Sequence, residues 1–176
     1  MFTSKKLLLL FSLTFSCSII TALAQSPNLG IVANEELIKN WNTSIGTEGE
    51  ELPPGFGNAT NGRSIYNLQC IACHGQGGEG LLNDKLAGGH GSLTTNQAVK
   101  TIGSYWPYAT TIFDYIRRAM PYLSPKSLSD EEVYSLTAYM LYINNIISED
   151  MIIDANTLPK IEMPNKGNFI ISYPNN

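Results

Sequence analysis

Two cysteines and a histidine fall within one short run, Cys70-Ile71-Ala72-Cys73-His74, and that spacing constrains the fold more than anything else in the chain. Thiols three positions apart can each add to a vinyl group of haem, and the adjacent imidazole then presents itself to the iron as proximal ligand. A chain cross-linked in this way builds its core against a porphyrin. The other uses of such a motif fail on inventory. A structural zinc site needs four nitrogen or sulfur ligands, and beyond the N-terminal leader described below only His90 could be added, with Cys73 and His74 too close in sequence for a relaxed tetrahedron. A thioredoxin-like dithiol wants a strand before it and a long helix after it, whereas Gly75-Gln76-Gly77-Gly78-Glu79-Gly80 follows here.

Residues 1–24 read as a cleaved secretory leader. Lys5 and Lys6 give a positive start, Leu7 to Ile20 an apolar stretch, and Ala22-Leu23-Ala24 a small-residue cleavage site. The serines and threonines in that stretch argue for removal over an uncleaved anchor, and Cys17 leaves with the leader because Thr14-Phe15-Ser16 is a poor lipoprotein signal. The two remaining cysteines are consumed by haem, so no disulfide is expected, and the expected location is the periplasm without stable membrane insertion. Removing Lys5 and Lys6 leaves 9 basic against 15 acidic side chains, a net charge of −6, which argues against nucleic acid as a partner.

The fold expected is mainly α, a class I cytochrome c with one haem domain over residues 58–148 flanked by irregular extensions at 25–57 and 149–176. Within the first extension, Asn34 to Trp41 is a short helical stretch. Ala59 to Gln69 carries helical spacing into the haem motif, and Gly62 on it would let another helix cross closely. Thr110 to Ala119 is a shorter helix ended by Met120-Pro121. The clearest helix starts at Ser129, with Glu132 completing a capping box, and repeats Val133, Leu136, Met140, Ile143 and Ile147 on its apolar side. Pro159, Pro164 and Pro174 break regular structure beyond it, and nothing reads as a sustained sheet.

A low-spin haem takes a second axial ligand, for which the mature chain offers His90, Met120, Met140, Met151 and Met163. Met120 is the choice: it follows a helix, precedes a stiffening proline and lies far enough past His74 for the chain to pass round the haem edge. Met140 belongs to a packing stripe, Met163 has no evident scaffold, and His90 sits in a flexible Gly-Gly-His-Gly loop. Trp106, in Tyr105-Trp106-Pro107-Tyr108, and Arg117 are candidates for bonding the haem propionates.

The stretch from Gly103 to Thr111, GSYWPYATT, followed by Asp114-Tyr115-Ile116 and Arg118-Ala119-Met120-Pro121, is far more specific than the haem motif. With Leu52-Pro53-Pro54-Gly55, Leu86-Ala87-Gly88-Gly89 and Leu158-Pro159-Lys160, it resembles the SoxD family, the cytochrome c subunits of the sulfane dehydrogenase of the periplasmic Sox sulfur-oxidising system. The likeness covers nearly all of the mature chain. It implies one covalent haem c held by Cys70 and Cys73, iron bound by His74 and Met120, a SoxC-like molybdenum-cofactor subunit as partner, and a downstream cytochrome as electron acceptor. The sulfur chemistry would belong to the partner, and this chain would move electrons one at a time.

The sequence departs from its relatives in two respects. Some family members hold two haems, whereas one Cys-x-x-Cys-His is present here. The common cytochrome pattern has a proline after the haem motif whose carbonyl orients the proximal imidazole, and Leu81-Leu82-Asn83-Asp84 has none, leaving the acceptor of the His74 ring proton open. The competing functions are a sulfite dehydrogenase cytochrome, a freely diffusing carrier and a haem-based sensor. The four-helix sensor cytochromes carry the motif near the chain's end, unlike this one.

Overall fold

A computed structural model of the chain describes residues 29–170 and 172, so the expected leader and Cys17 lie outside the described residues. Of the described residues, those up to Ile38 fall in one unit and those from Lys39 onward in another. The Asn34 side chain accepts a hydrogen bond from the Leu37 amide at 2.8 Å and opens α1 (Glu35–Trp41).

The second unit is built on three long helices and one single-turn helix. In α2 (Ala59–Gln69), Asn58 caps the first turn by accepting from the Asn61 amide at 2.9 Å. After it come the single turn α3 (Ile71–His74), then α4 (Ala109–Ala119) and α5 (Asp130–Ile143). The capping box at the start of α5 is complete: Ser129 Oγ accepts from the Glu132 amide, and the Glu132 carboxylate accepts from the Ser129 amide. Tyr66, Phe113, Val133, Tyr134, Ala138 and Leu141 interlock between these helices, with the Phe113 and Tyr134 rings 4.5 Å apart and those of Tyr66 and Tyr139 5.2 Å apart.

The last helix stops earlier than the apolar repeat suggests. Ile143 ends α5, Asn144 caps it, and Asn145 turns into the left-handed region at φ 57°, so Ile147 lies beyond the helix. The side chain of Asn144 donates back to the Met140 carbonyl at 2.9 Å, a local bond that competes with continuing the helical ladder.

Within the second unit, the segments 45–57 and 149–170 are largely irregular in backbone, yet both join the core. The amide of Ile45 donates to Asp114 on α4, the hydroxyl of Thr110 to the Thr47 carbonyl, and the hydroxyl of Tyr134 on α5 to the Pro53 carbonyl. Two short strands, β1 (Phe56–Gly57) and β2 (Ile153–Asp154), then pair antiparallel with Phe56 opposite Asp154, tying the residues before α2 to those after α5. Ile153 and Leu158 are completely buried and Ile161 and Met163 nearly so. The core therefore continues past residue 148, and each fully buried Ile or Leu contributes about 1.5–3 kcal/mol of burial free energy.

Candidate functional site

The first turn after α2 places the Cys70-Ile71-Ala72-Cys73-His74 motif. The Tyr66 carbonyl accepts from the Cys70 amide, and the Cys70 carbonyl from the amides of Cys73 and His74, so both thiols and the imidazole project from one tight α3 turn. Gly75 follows at φ 75°, a conformation suited to glycine, and its carbonyl accepts the Tyr66 hydroxyl at 2.7 Å. Burial pushes the Tyr66 phenol up to about 12, which keeps it a neutral donor, and it pushes the Cys70 thiol, with a smaller contribution from Cys73, up to about 11.

These residues open onto a cavity of about 550 Å³, within the range of about 300–1,000 Å³ usual for cofactor sites. Cys70, Cys73 and His74 form one part of its lining; Trp106, Ile112, Ile116 and Met120 form another; Leu136 and Met140 of α5 contribute as well. The lining is mostly apolar, as a porphyrin face demands, and its cations are Lys85 and Lys100. Met120 caps α4 with extended backbone, which frees its side chain from the helix face.

The open question about His74 has an answer in the backbone. Its Nδ1 lies 3.1 Å from the carbonyl oxygen of Asp84. A carbonyl can only accept, so Nδ1 carries the proton and Nε2 keeps its lone pair for a metal. The Asn83 amide, donating to the Cys73 carbonyl at 2.9 Å, pins the loop that brings Asp84 there. No proline is needed for this contact, and a main-chain acceptor leaves no mark on side-chain identity.

The remaining candidates separate cleanly. Trp106 lines the cavity, half-buried, with its ring edge-on to Tyr115 at 5.7 Å. The segment carrying it is braced by the tail, since Asn165 Nδ2 donates to the Tyr105 carbonyl at 2.8 Å. Arg117 is absent from the cavity wall. Its Nε donates to Asp130 at 3.0 Å, so a carboxylate at the start of α5 takes the guanidinium that the sequence reading offered to a propionate. His90 lies instead in a separate surface depression with Asn144, Glu162 and Pro164, and Met163 is buried in the core. Met140 does reach the cavity, but from within the packed stripe of α5. No cluster of three or more His, Cys, Asp or Glu side chains able to hold a metal occurs among the described residues.

A helical fold that closes Cys70, Cys73 and His74 around an apolar, porphyrin-sized cavity defines a c-type cytochrome, and residues 57–140 match the family described as cytochrome c oxidase, cbb3-type, subunit III. The crystal structure of the sulfane dehydrogenase SoxCD from Paracoccus pantotrophus superposes with a TM-score of 0.79 at 39% identity, covering 85% of this chain and 73% of that one. The chain belongs to the SoxD family of cytochromes, whose cofactor is c-type haem. A thiosulfate dehydrogenase from Psychrobacter arcticus is 27% identical over 86 residues, a stretch that makes up 49% of this chain and 26% of that protein. Among the described residues no helix is long and apolar enough to cross a membrane.

Proposed function

We propose that this chain is the electron-transfer subunit of a molybdenum-dependent sulfane dehydrogenase, exported to the periplasm by a leader at residues 1–24. Cys70 and Cys73 hold one haem c through thioethers, and His74 Nε2 and the Met120 thioether bind its iron. When bound, the haem supplies one-electron exchange between ferric and ferrous iron. Trp106, in the cavity wall, is the candidate partner of a propionate, and the Asp84 carbonyl holds the imidazole in the tautomer that ligation needs. Residues 58–148 form the haem domain, flanked by an N-terminal extension at 25–57 and a C-terminal tail at 149–176. Electrons come from a SoxC-like molybdenum-cofactor subunit that oxidises sulfur, and they leave to a downstream acceptor cytochrome.

The reading is supported above all by one observation: a single cavity collects Cys70, Cys73, His74 and Met120 from two distant segments. The test is to purify the haem-loaded full chain from its own periplasm under mild conditions and measure molybdenum and iron in the haem-containing fraction. Co-elution with a molybdoprotein, and haem reduction by a sulfane sulfur donor only in that fraction, is the expected result. A haem protein that elutes alone, while sulfur oxidation runs without it, makes the chain a diffusing carrier.

A further inference from the structure

Asn144 is 1% exposed and occupies the junction between the end of α5 and the loop beside the haem motif. Its carboxamide makes three bonds: Nδ2 donates to the Leu86 carbonyl at 3.1 Å and to the Met140 carbonyl at 2.9 Å, and Oδ1 accepts from the Gly88 amide at 3.2 Å. Gly103 closes over it so tightly that a Cβ there would stand 2.3 Å from Asn144 Oδ1. The loop so gripped is the one that offers the Asp84 carbonyl to His74 Nδ1. Upstream of Asp84 the loop is tied to the haem motif itself, through the Asn83 amide on the Cys73 carbonyl. Downstream, Leu86 and Gly88 are tied to α5 through Asn144. Only a carboxamide combines donors for two carbonyls with an acceptor for an amide; an aspartate would lose the donors and bury a charge.

We propose that Asn144 is a positioning residue for the axial imidazole. By holding Leu86 and Gly88 on the end of α5, it keeps the Asp84 carbonyl at hydrogen-bonding distance from His74 Nδ1 and thereby sets the basicity of Nε2. A strong bond at Nδ1 makes the imidazole a better electron donor, which favours ferric iron and lowers the reduction potential; a loosened bond raises it. The proposal rests on His74 as axial ligand.

The test uses the haem-loaded full chain, comparing wild type with Asn144→Ser and Asn144→Ala. Three quantities are read: exchange of the His74 Nδ1 proton by NMR in the reduced state, the reduction potential, and the weak red sulfur-to-iron charge-transfer band. Loss of the clamp is expected to speed exchange roughly five- to tenfold, the scale of one net hydrogen bond, and to raise the potential while the band persists. Wild-type exchange and potential in a variant that is merely less heat-stable would overturn the proposal and leave Asn144 a helix cap. Should neither variant accumulate, wild type decides: the Gly88 amide and the His74 Nδ1 proton should lose protection in parallel as low denaturant is added, and independent loss overturns the clamp. A wild-type reduced protein with no protected His74 Nδ1 proton lacks the bond to the Asp84 carbonyl and overturns the clamp, while His74 ring resonances without the ring-current shift of an axial ligand remove the axial reading on which it rests.

Discussion

Gly62 on α2 passes Ser135 on α5 so closely that a Cβ placed on Gly62 would lie 1.9 Å from the Ser135 carbonyl oxygen. The obstacle is backbone, which cannot rotate aside, so the two helices can cross at this distance only over a glycine. Their crossing sets the wall from which Tyr66, Leu136 and Met140 face the cavity.

Gly62→Ala should therefore destabilise the fold by about 3 kcal/mol, lowering Tm by roughly 10 °C. Thermal unfolding of the haem-loaded protein measures this, and an unchanged Tm would mean that the helices cross elsewhere.

Leu158 tests whether the tail belongs to the core. It is completely buried, and Leu158→Ala should cost about 3 kcal/mol in urea unfolding. A loss below about 0.5 kcal/mol, the usual range for surface positions, would make the tail dispensable to stability.

Met120→Ala should leave haem covalently attached, abolish the red charge-transfer band and lower the reduction potential, because a soft thioether favours ferrous iron. Met140→Leu should keep the band, as a packing residue replaced by one of similar volume. A band that survives in the first variant and vanishes in the second would transfer the ligand role to Met140.

Replacing Cys70 and Cys73 together by alanine should abolish covalent attachment. Haem staining on a denaturing gel reads this directly, and retained stain would contradict thioether bonding at these positions.

Acid stability should depend on Asp154. Its carboxylate accepts from the amides of Thr157 and Asn156, each at 2.8 Å, and from the Thr157 hydroxyl, and these bonds hold it below the usual carboxylate value. A depressed folded-state pKa contributes stability that is present above the ordinary value and lost as pH falls through the folded one. Asp154→Asn should thus flatten the loss of stability below about pH 4. Urea midpoints at pH 3 and pH 7 would show it, and an acid limb as steep as that of wild type would assign the effect to other carboxylates.

The helices and the Cys-x-x-Cys-His motif were legible in the residues because each signal there is local. The capping box of Ser129 and Glu132 is complete within one turn, and Cys70, Cys73 and His74 act through a spacing that any cytochrome of this kind needs. Gly62 announced a close crossing, although the sequence could not name Ser135 as its partner.

What the tertiary structure alone decided concerns groups whose roles come from position. The acceptor for His74 is a main-chain carbonyl, identical in chemistry at every residue, so only the path of the loop could select Asp84. Arg117 had an acceptable local reading as a propionate partner, and it was the approach of Asp130 across the α4–α5 turn that took it. The tail reads as proline-broken irregular chain, yet Ile153, Leu158 and Met163 are buried, because burial depends on which surface a segment meets rather than on its own periodicity. Sequence determined the cofactor, the family and the helices; long-range packing decided which backbone groups and charges surround the haem cavity, since those contacts join residues whose separation along the chain carries no periodic signal.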